Sequence, residues 1–153
     1  MSKSLVKNMG VEYAGAAVAN ASSTDDNSSR FDMSGFKHVV FFTAITDCAD
    51  TGVATLNIQT STADSDGAMA TASGATLAAT SGANDDLNGL FLMVELKNVL
   101  ERYVQGNRVS ATANIAFGEI YCIRHNGSAV GPMNAPTSAP STQAAAPVSV
   151  VDA

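Results

Sequence analysis

Two stretches place carboxylates close enough to hold a cation or share a proton: Asp64-Ser65-Asp66-Gly67 and Asp47-Cys48-Ala49-Asp50. The first has the alternate acids and glycine of a calcium loop, but not the distal bidentate glutamate that completes one. It reads as a solvated turn. The second is built of turn-forming residues and reads the same way, as does Asn84-Asp85-Asp86. His38 and His125 are the two histidines, and neither has a cysteine or carboxylate at metal-ligand spacing. No Gly-x-Ser-x-Gly elbow presents a nucleophile, and no glycine-rich phosphate loop occurs. Cys48 and Cys122 lie far apart, each in or beside an apolar stretch, and are expected as buried free thiols. The chain is therefore expected to have no catalytic residues, no metal and no cofactor.

Charge narrows the partners. The net charge is −6, and the eight bases (Lys3, Lys7, Arg30, Lys37, Lys97, Arg102, Arg108 and Arg124) are scattered. Without a basic cluster there is nothing to neutralise phosphates, which argues against nucleic acid. Charged residues make up 14% of the chain, against about 25% in typical domains. Such a surface suits a protein partly covered by neighbours, and equally many secreted β-domains. The N-terminal MSKSLVKNMG lacks the apolar core of a signal peptide, and no window is apolar enough for a membrane helix. The sequons at Asn20, Asn27 and Asn126 read as coincidence in an Asn/Ser-rich chain.

The elements that must carry these residues read as strands. The central one is Asn88 to Val104, NGLFLMVELKNVLERYV. Leu90, Leu92, Val94 and Leu96 share one period-2 face, and Phe91, Met93, Glu95 and Lys97 the other. A helix fits the same residues, since periodicity alone does not separate the two. The neighbours decide for strand, then a tight turn at Lys97–Glu101, then a second strand entered at Arg102-Tyr103. Phe31 to Thr46 holds another strand around Val39-Val40-Phe41-Phe42. Val53 to Thr62 alternates, with Ala54, Leu56 and Ile58 facing inward. Arg108 to Phe117 alternates, with Val109, Ala111, Ala113, Ile115 and Phe117 on one face, and Glu119 to Arg124 is a short strand after a break at Gly118. Residues 68–86 read as a weak edge strand or a long surface loop, and 22–30 as a polar loop. Strands at regular spacing imply an antiparallel sandwich or barrel. Three segments follow: an N-terminal arm (1–21, a short helix or an extended arm), a β-sandwich (22–125), and a C-terminal arm (126–153). The last contains all four prolines, which favour extended backbone.

Phe31-Asp32-Met33-Ser34-Gly35-Phe36 opening the Val39-Val40-Phe41 strand, with Leu92–Leu96, Arg102-Tyr103-Val104 and Val109–Ile115 following in that order, resembles a family of tailed-bacteriophage capsid decoration (cement) proteins. The resemblance covers about residues 10–136, in short motifs that carry weight through their order. It implies an all-β, antiparallel jelly-roll-like or Greek-key β-sandwich with extended N- and C-terminal arms. It further implies a structural protein that binds the outer surface of a capsid. Its expected partners are the major capsid protein and other copies of itself, with trimers at local three-fold positions. Val11, Tyr13, Val130, Pro132 and Met133, apolar residues in arms without a core of their own, are the expected contact residues. The alternatives are another virion component, at a head–tail joint or tail surface, and a carbohydrate- or cell-binding β-module. The last wants exposed aromatics, and the chain has no Trp and three Tyr.

Overall fold

The computed structural model describes residues 9–126 and the backbone of 148–152. The described strands are β1 (Met9–Gly15), β2 (Val18–Ala21), β3 (Asp25–Asn27), β4 (Phe31–Asp32), β5 (His38–Cys48), β6 (Val53–Ser61), β7 (Ala70–Thr80), β8 (Phe91–Lys97), β9 (Tyr103–Ala111), β10 (Ile115–His125) and β11 (Val148–Asp152). They form two sheets. Sheet I has the order β1-β10-β5-β8-β11, with β2 also on β10; sheet II has the order β3-β9-β6-β7, with β4 also on β9. The pairing is nested: β1 and β2 meet β10, β3 and β4 meet β9, β5 meets β8, and β6 meets β7. The fold is an all-β sandwich whose chain passes repeatedly from one sheet to the other.

Period-2 burial builds the core between the sheets. Val39, Phe41 and Ile45 of β5, Leu92, Val94 and Leu96 of β8, and Phe117, Ile120 and Cys122 of β10 face Ala54, Leu56 and Ile58 of β6 and Val104 of β9. Gly106 of β9 lies against this core so closely that a Cβ there would stand 2.6 Å from Ile120 Cδ1 and 2.8 Å from Phe41 Cδ1. The strand expected within Asn88–Val104 is β8, its inward residues are those expected, and β9 begins at Tyr103. Cys48 and Cys122 are both buried and free.

Several expectations need correction. Residues 9–21 are not an arm apart from the sandwich: β1 pairs with β10 from Met9↔His125 to Gly15↔Ile120, and β2 continues along the same strand. The polar stretch 22–30 contains β3, which pairs with β9 and sets Asp26 beside Arg108. Of the two readings of residues 68–86, the edge strand holds: β7 occupies Ala70–Thr80 at the edge of sheet II. Arg108 to Phe117 is not one strand. The chain turns at Thr112 (φ 71°), and the alternation of Ala111, Ala113 and Ile115 merely runs on through the turn. The inward face of β9 also has the opposite parity: Arg108 and Ser110 point into the molecule, and Val109 is only half-buried. Gly118 does not end a strand. β10 runs through it, with the register shifting between Phe117 and Ile120.

Arg108 explains the inverted parity. Its guanidinium is 1% exposed and reaches from sheet II toward sheet I. It pairs with Asp26 and donates to the carbonyls of Ala16 (2.8 Å) and Gly118 (2.5 Å). A buried cation is tolerated only when its donors are met this fully.

Candidate interaction surface

Strand pairing sorts the outward side chains of sheet I into rows. Tyr13, Tyr121, Phe42 and Met93 lie side by side across β1, β10, β5 and β8. Val11, Ile123, Val40 and Glu95 form the next row, and Ala44 and Phe91 extend the surface on the other flank. Val11 is 60% exposed, Tyr13 56% and Phe91 50%. The rings lock together: Tyr13 meets Tyr121 edge-on at 6.0 Å, and Phe42 stacks on Tyr121 at 5.4 Å. The result is a pre-organised apolar face on the side of the sheet turned away from the core. Exposed apolar residues scattered singly are ordinary, whereas a contiguous group is a candidate interaction surface.

Polar groups border it. The Tyr121 hydroxyl donates to the Glu119 carboxylate, which holds the phenol above its ordinary pKa. His38 and His125 stack at 5.0 Å, and His125 Nε2 lies 3.3 Å from Glu95 Oε1. Burial, with the neighbouring His125 adding to it, lowers the pKa of His38, whose Nδ1 accepts the Asn98 backbone N–H at 3.3 Å.

The outer face of sheet II is different in kind. Asn107 donates to Asp25 (2.7 Å) and Asn27 (2.8 Å) and accepts from Asn57 (3.0 Å), while Gln105 donates to Gln59 (2.6 Å). Arg30 crosses above β9 from the β3–β4 connection to Asp64 (2.6 Å) and Asp66. Gln105 and Asn107 are themselves buried, at 0% and 3% exposure, and Gln105 Oε1 has no hydrogen-bond partner among the described residues. The ladder presents few apolar groups. The Asp64–Gly67 carboxylates thus serve ion pairs with Arg30. In the other acidic stretch, Asp50 N–H donates to the Asn84 side chain, and Asp86 accepts from Ser81 and from the N–H groups of Gly82 and Ala83. These hydrogen bonds lower the pKa of Asp86. Among the described residues no three His, Cys, Asp or Glu side chains gather as a metal site would require.

Of the expected contact residues, Val11 and Tyr13 stand on the apolar face, but as members of a sheet rather than of an arm. Val130, Pro132 and Met133 lie outside the described residues. Phe42, Tyr121, Ile123, Met93 and Phe91 share that face and are not among the expected residues. Their signal was present in Val39-Val40-Phe41-Phe42, a run apolar at both parities, which marks a strand with apolar groups on both faces.

The two motifs behind the family resemblance meet in space. Phe31–Asp32 pairs with Tyr103–Val104, Asp32 accepts from Arg102 at 2.9 and 3.2 Å, and Gly35 (φ 84°) completes the turn that returns Phe36 N–H to Met33 O. The positive φ there is one that glycine adopts without strain. Arg124, paired with Glu12 at 2.7 Å, lies 4.7 Å from the Phe36 ring and 5.6 Å from that of Phe31.

No family model, curated protein or solved structure matches the chain.

Proposed function

We propose that this protein is a structural component of a bacteriophage particle, a decoration protein that docks through the outer face of sheet I on the major capsid protein and stabilises the shell. The observation that carries this reading is the contrast between the two outer faces. One presents interlocked aromatic and aliphatic rows, the other a ladder of amides whose central members, Gln105 and Asn107, are already buried. Burying the first removes apolar area from water at about 25 cal/mol per Å². The second offers little apolar area to remove from water. The nested strand pairing supports the jelly-roll form of the sandwich that the resemblance implies. A virion location, homo-oligomers and trimers at three-fold positions belong to the same reading.

A sugar-binding platform would also use exposed aromatics. Here Tyr121 is stacked on Phe42 and capped by the edge of Tyr13, so its ring faces are turned to one another rather than offered to a sugar.

The test is occupancy on capsid shells that lack the protein. The F42S/F91S variant is expected to lose most of its binding, and T71D/T76D, at exposed positions of β7 on the polar face, to bind normally. Equal binding by both variants would overturn the assignment of the face. Shells that survive heat and osmotic shock equally well with and without the protein would overturn the stabilising role.

A further inference from the structure

We infer that the outer face of sheet I is self-complementary, and that two copies of this chain pack through it about a two-fold axis lying across the strands. The axis runs along the row Glu12, Cys122, Phe41 and Val94, which pairing sets side by side on β1, β10, β5 and β8. A two-fold interface lays one patch on a second copy of itself, so residues on either side of the axis must fit one another. About this axis, Val11 of one copy meets Tyr13 of the other on β1, Ile123 meets Tyr121 on β10, and Val40 meets Phe42 on β5. Each pair sets an aliphatic side chain against a ring. Val40 points outward yet is 4% exposed, so it forms the floor of the face beneath taller neighbours. Large-on-small alternation lets two packed sheets interdigitate.

Charge at the two ends of the face agrees with the same axis. Glu119 of β10 lies on one side of Cys122, and its carboxylate reaches the outer face, where it accepts the Tyr121 hydroxyl. His125 lies equally far on the other side, stacked on His38 at 5.0 Å, with Lys37 and Lys97 close by. The axis therefore sets the acidic end of each copy against the histidine and lysine end of the other. A two-fold running along the strands would set like ends together. Glu95, which meets Met93, has its carboxylate drawn to His125 Nε2 of its own chain at 3.3 Å. Complementary charge of this kind fixes the register of a pair more than its strength. The four strands cover about 20 Å by 20 Å, a footprint of about 400 Å² per copy. Accessible area exceeds the footprint because side chains stand up from it, so the pair buries about 1,000 Å², the lower bound of a specific interface. The dimer is accordingly reversible, and it frees the face when a copy docks elsewhere.

The inference goes beyond the decoration-protein reading but shares its face, so a copy in the dimer does not bind a shell. Sedimentation equilibrium of the whole protein tests it without shells. A monomer–dimer equilibrium is expected below about 1 mM, and a monomer throughout overturns the inference. E119R sets a base against the histidine and lysine end, and H125E sets acid against acid. Each is expected to weaken the dimer about tenfold. Mixed, the two variants are expected to pair at the strength of the unaltered protein. In that pair the new base of one chain faces the new acid of the other, and His125 of the first still faces Glu119 of the second. The two positions are about 20 Å apart on one strand, so no contact within a chain produces this rescue. A mixture no stronger than its components overturns the inference. Should H125E fail to fold, V11D, at a position 60% exposed in the single chain, is expected to be monomeric, and T71D/T76D dimeric. A V11D dimer of unaltered strength counts against the face. Dimers that never bind shells sink the decoration reading alone, and monomers that bind them sink the two-fold alone.

Discussion

Arg108 of β9 and Asp26 of β3 form an ion pair whose cationic partner is almost wholly buried between the sheets, and whose remaining donors hold the Ala16 and Gly118 carbonyls. Through this one guanidinium, sheet II is tied to the β1–β2 connection and to the register shift in β10. Asp26, at 38% exposure, is the wetter partner, so the pair borders solvent on one side only.

Removing the acid leaves the cation stranded. Breaking a buried pair costs about 3–5 kcal/mol, and partial exposure of Asp26 moves the expectation to about 2–3 kcal/mol for D26A. Thermal unfolding should fall by about 4–12 °C. R108M combined with D26L should be less destabilised than the sum of the two single changes. Additive losses would show that the two residues are not coupled.

Gly106 predicts an overpacking cost. The Cβ of G106A would meet Ile120 and Phe41 well inside contact distance. The expected loss is about 1–3 kcal/mol in urea unfolding, partly recovered by I120V, which removes the Cδ1 atom. An unchanged midpoint would mean that the sheets separate freely at this point.

Acid should weaken the fold in two steps. His38 is lowered from 6.5 in the folded state, so the unfolded chain takes up its proton first. The stability His38 contributes is complete above pH 6.5 and declines as pH falls below it. Protonation at Nδ1 would also end acceptance of the Asn98 N–H and set a charge against His125, among Glu95, Lys97 and Lys37. Asp32, lowered first by its hydrogen bond from Arg102, and Asp86, lowered by Gly82 and Ser81, start from 3.8. Their contribution is lost below the ordinary carboxylate range. Unfolding temperature measured from pH 8 to 3 should show both declines, and H38F should remove the first.

The thiols should be silent in the folded protein. Burial pushes Cys122 up to about 12, so little thiolate exists at pH 8, and Cys48 is enclosed beside Asp86 and Leu87. A thiol reagent should label neither cysteine until denaturant is added, then both. Rapid labelling without denaturant would show that the end of β5 or β10 opens on its own.

The sequence by itself determined the fold class and the inward face of the strongest strands. Leu92, Val94 and Leu96, and Ala54, Leu56 and Ile58, alternate with residues that are less buried, and a period of two admits no other arrangement in a half-buried strand. It also placed Cys48 and Cys122 in the interior. Tertiary structure decided the rest, because the deciding partners are remote in the chain. Asp26 sits in a stretch that reads as a polar loop, and the partners of that stretch in β9, Arg108 and the neighbouring Asn107, lie far along the chain. The same pairing reverses the parity of β9 against its own hydrophobic pattern. The apolar outer face exists only because nested pairing brings Tyr13, Tyr121, Phe42 and Met93 into one row. Each is an ordinary residue on its own strand, and strand order, which local propensity does not encode, turns the four into a surface.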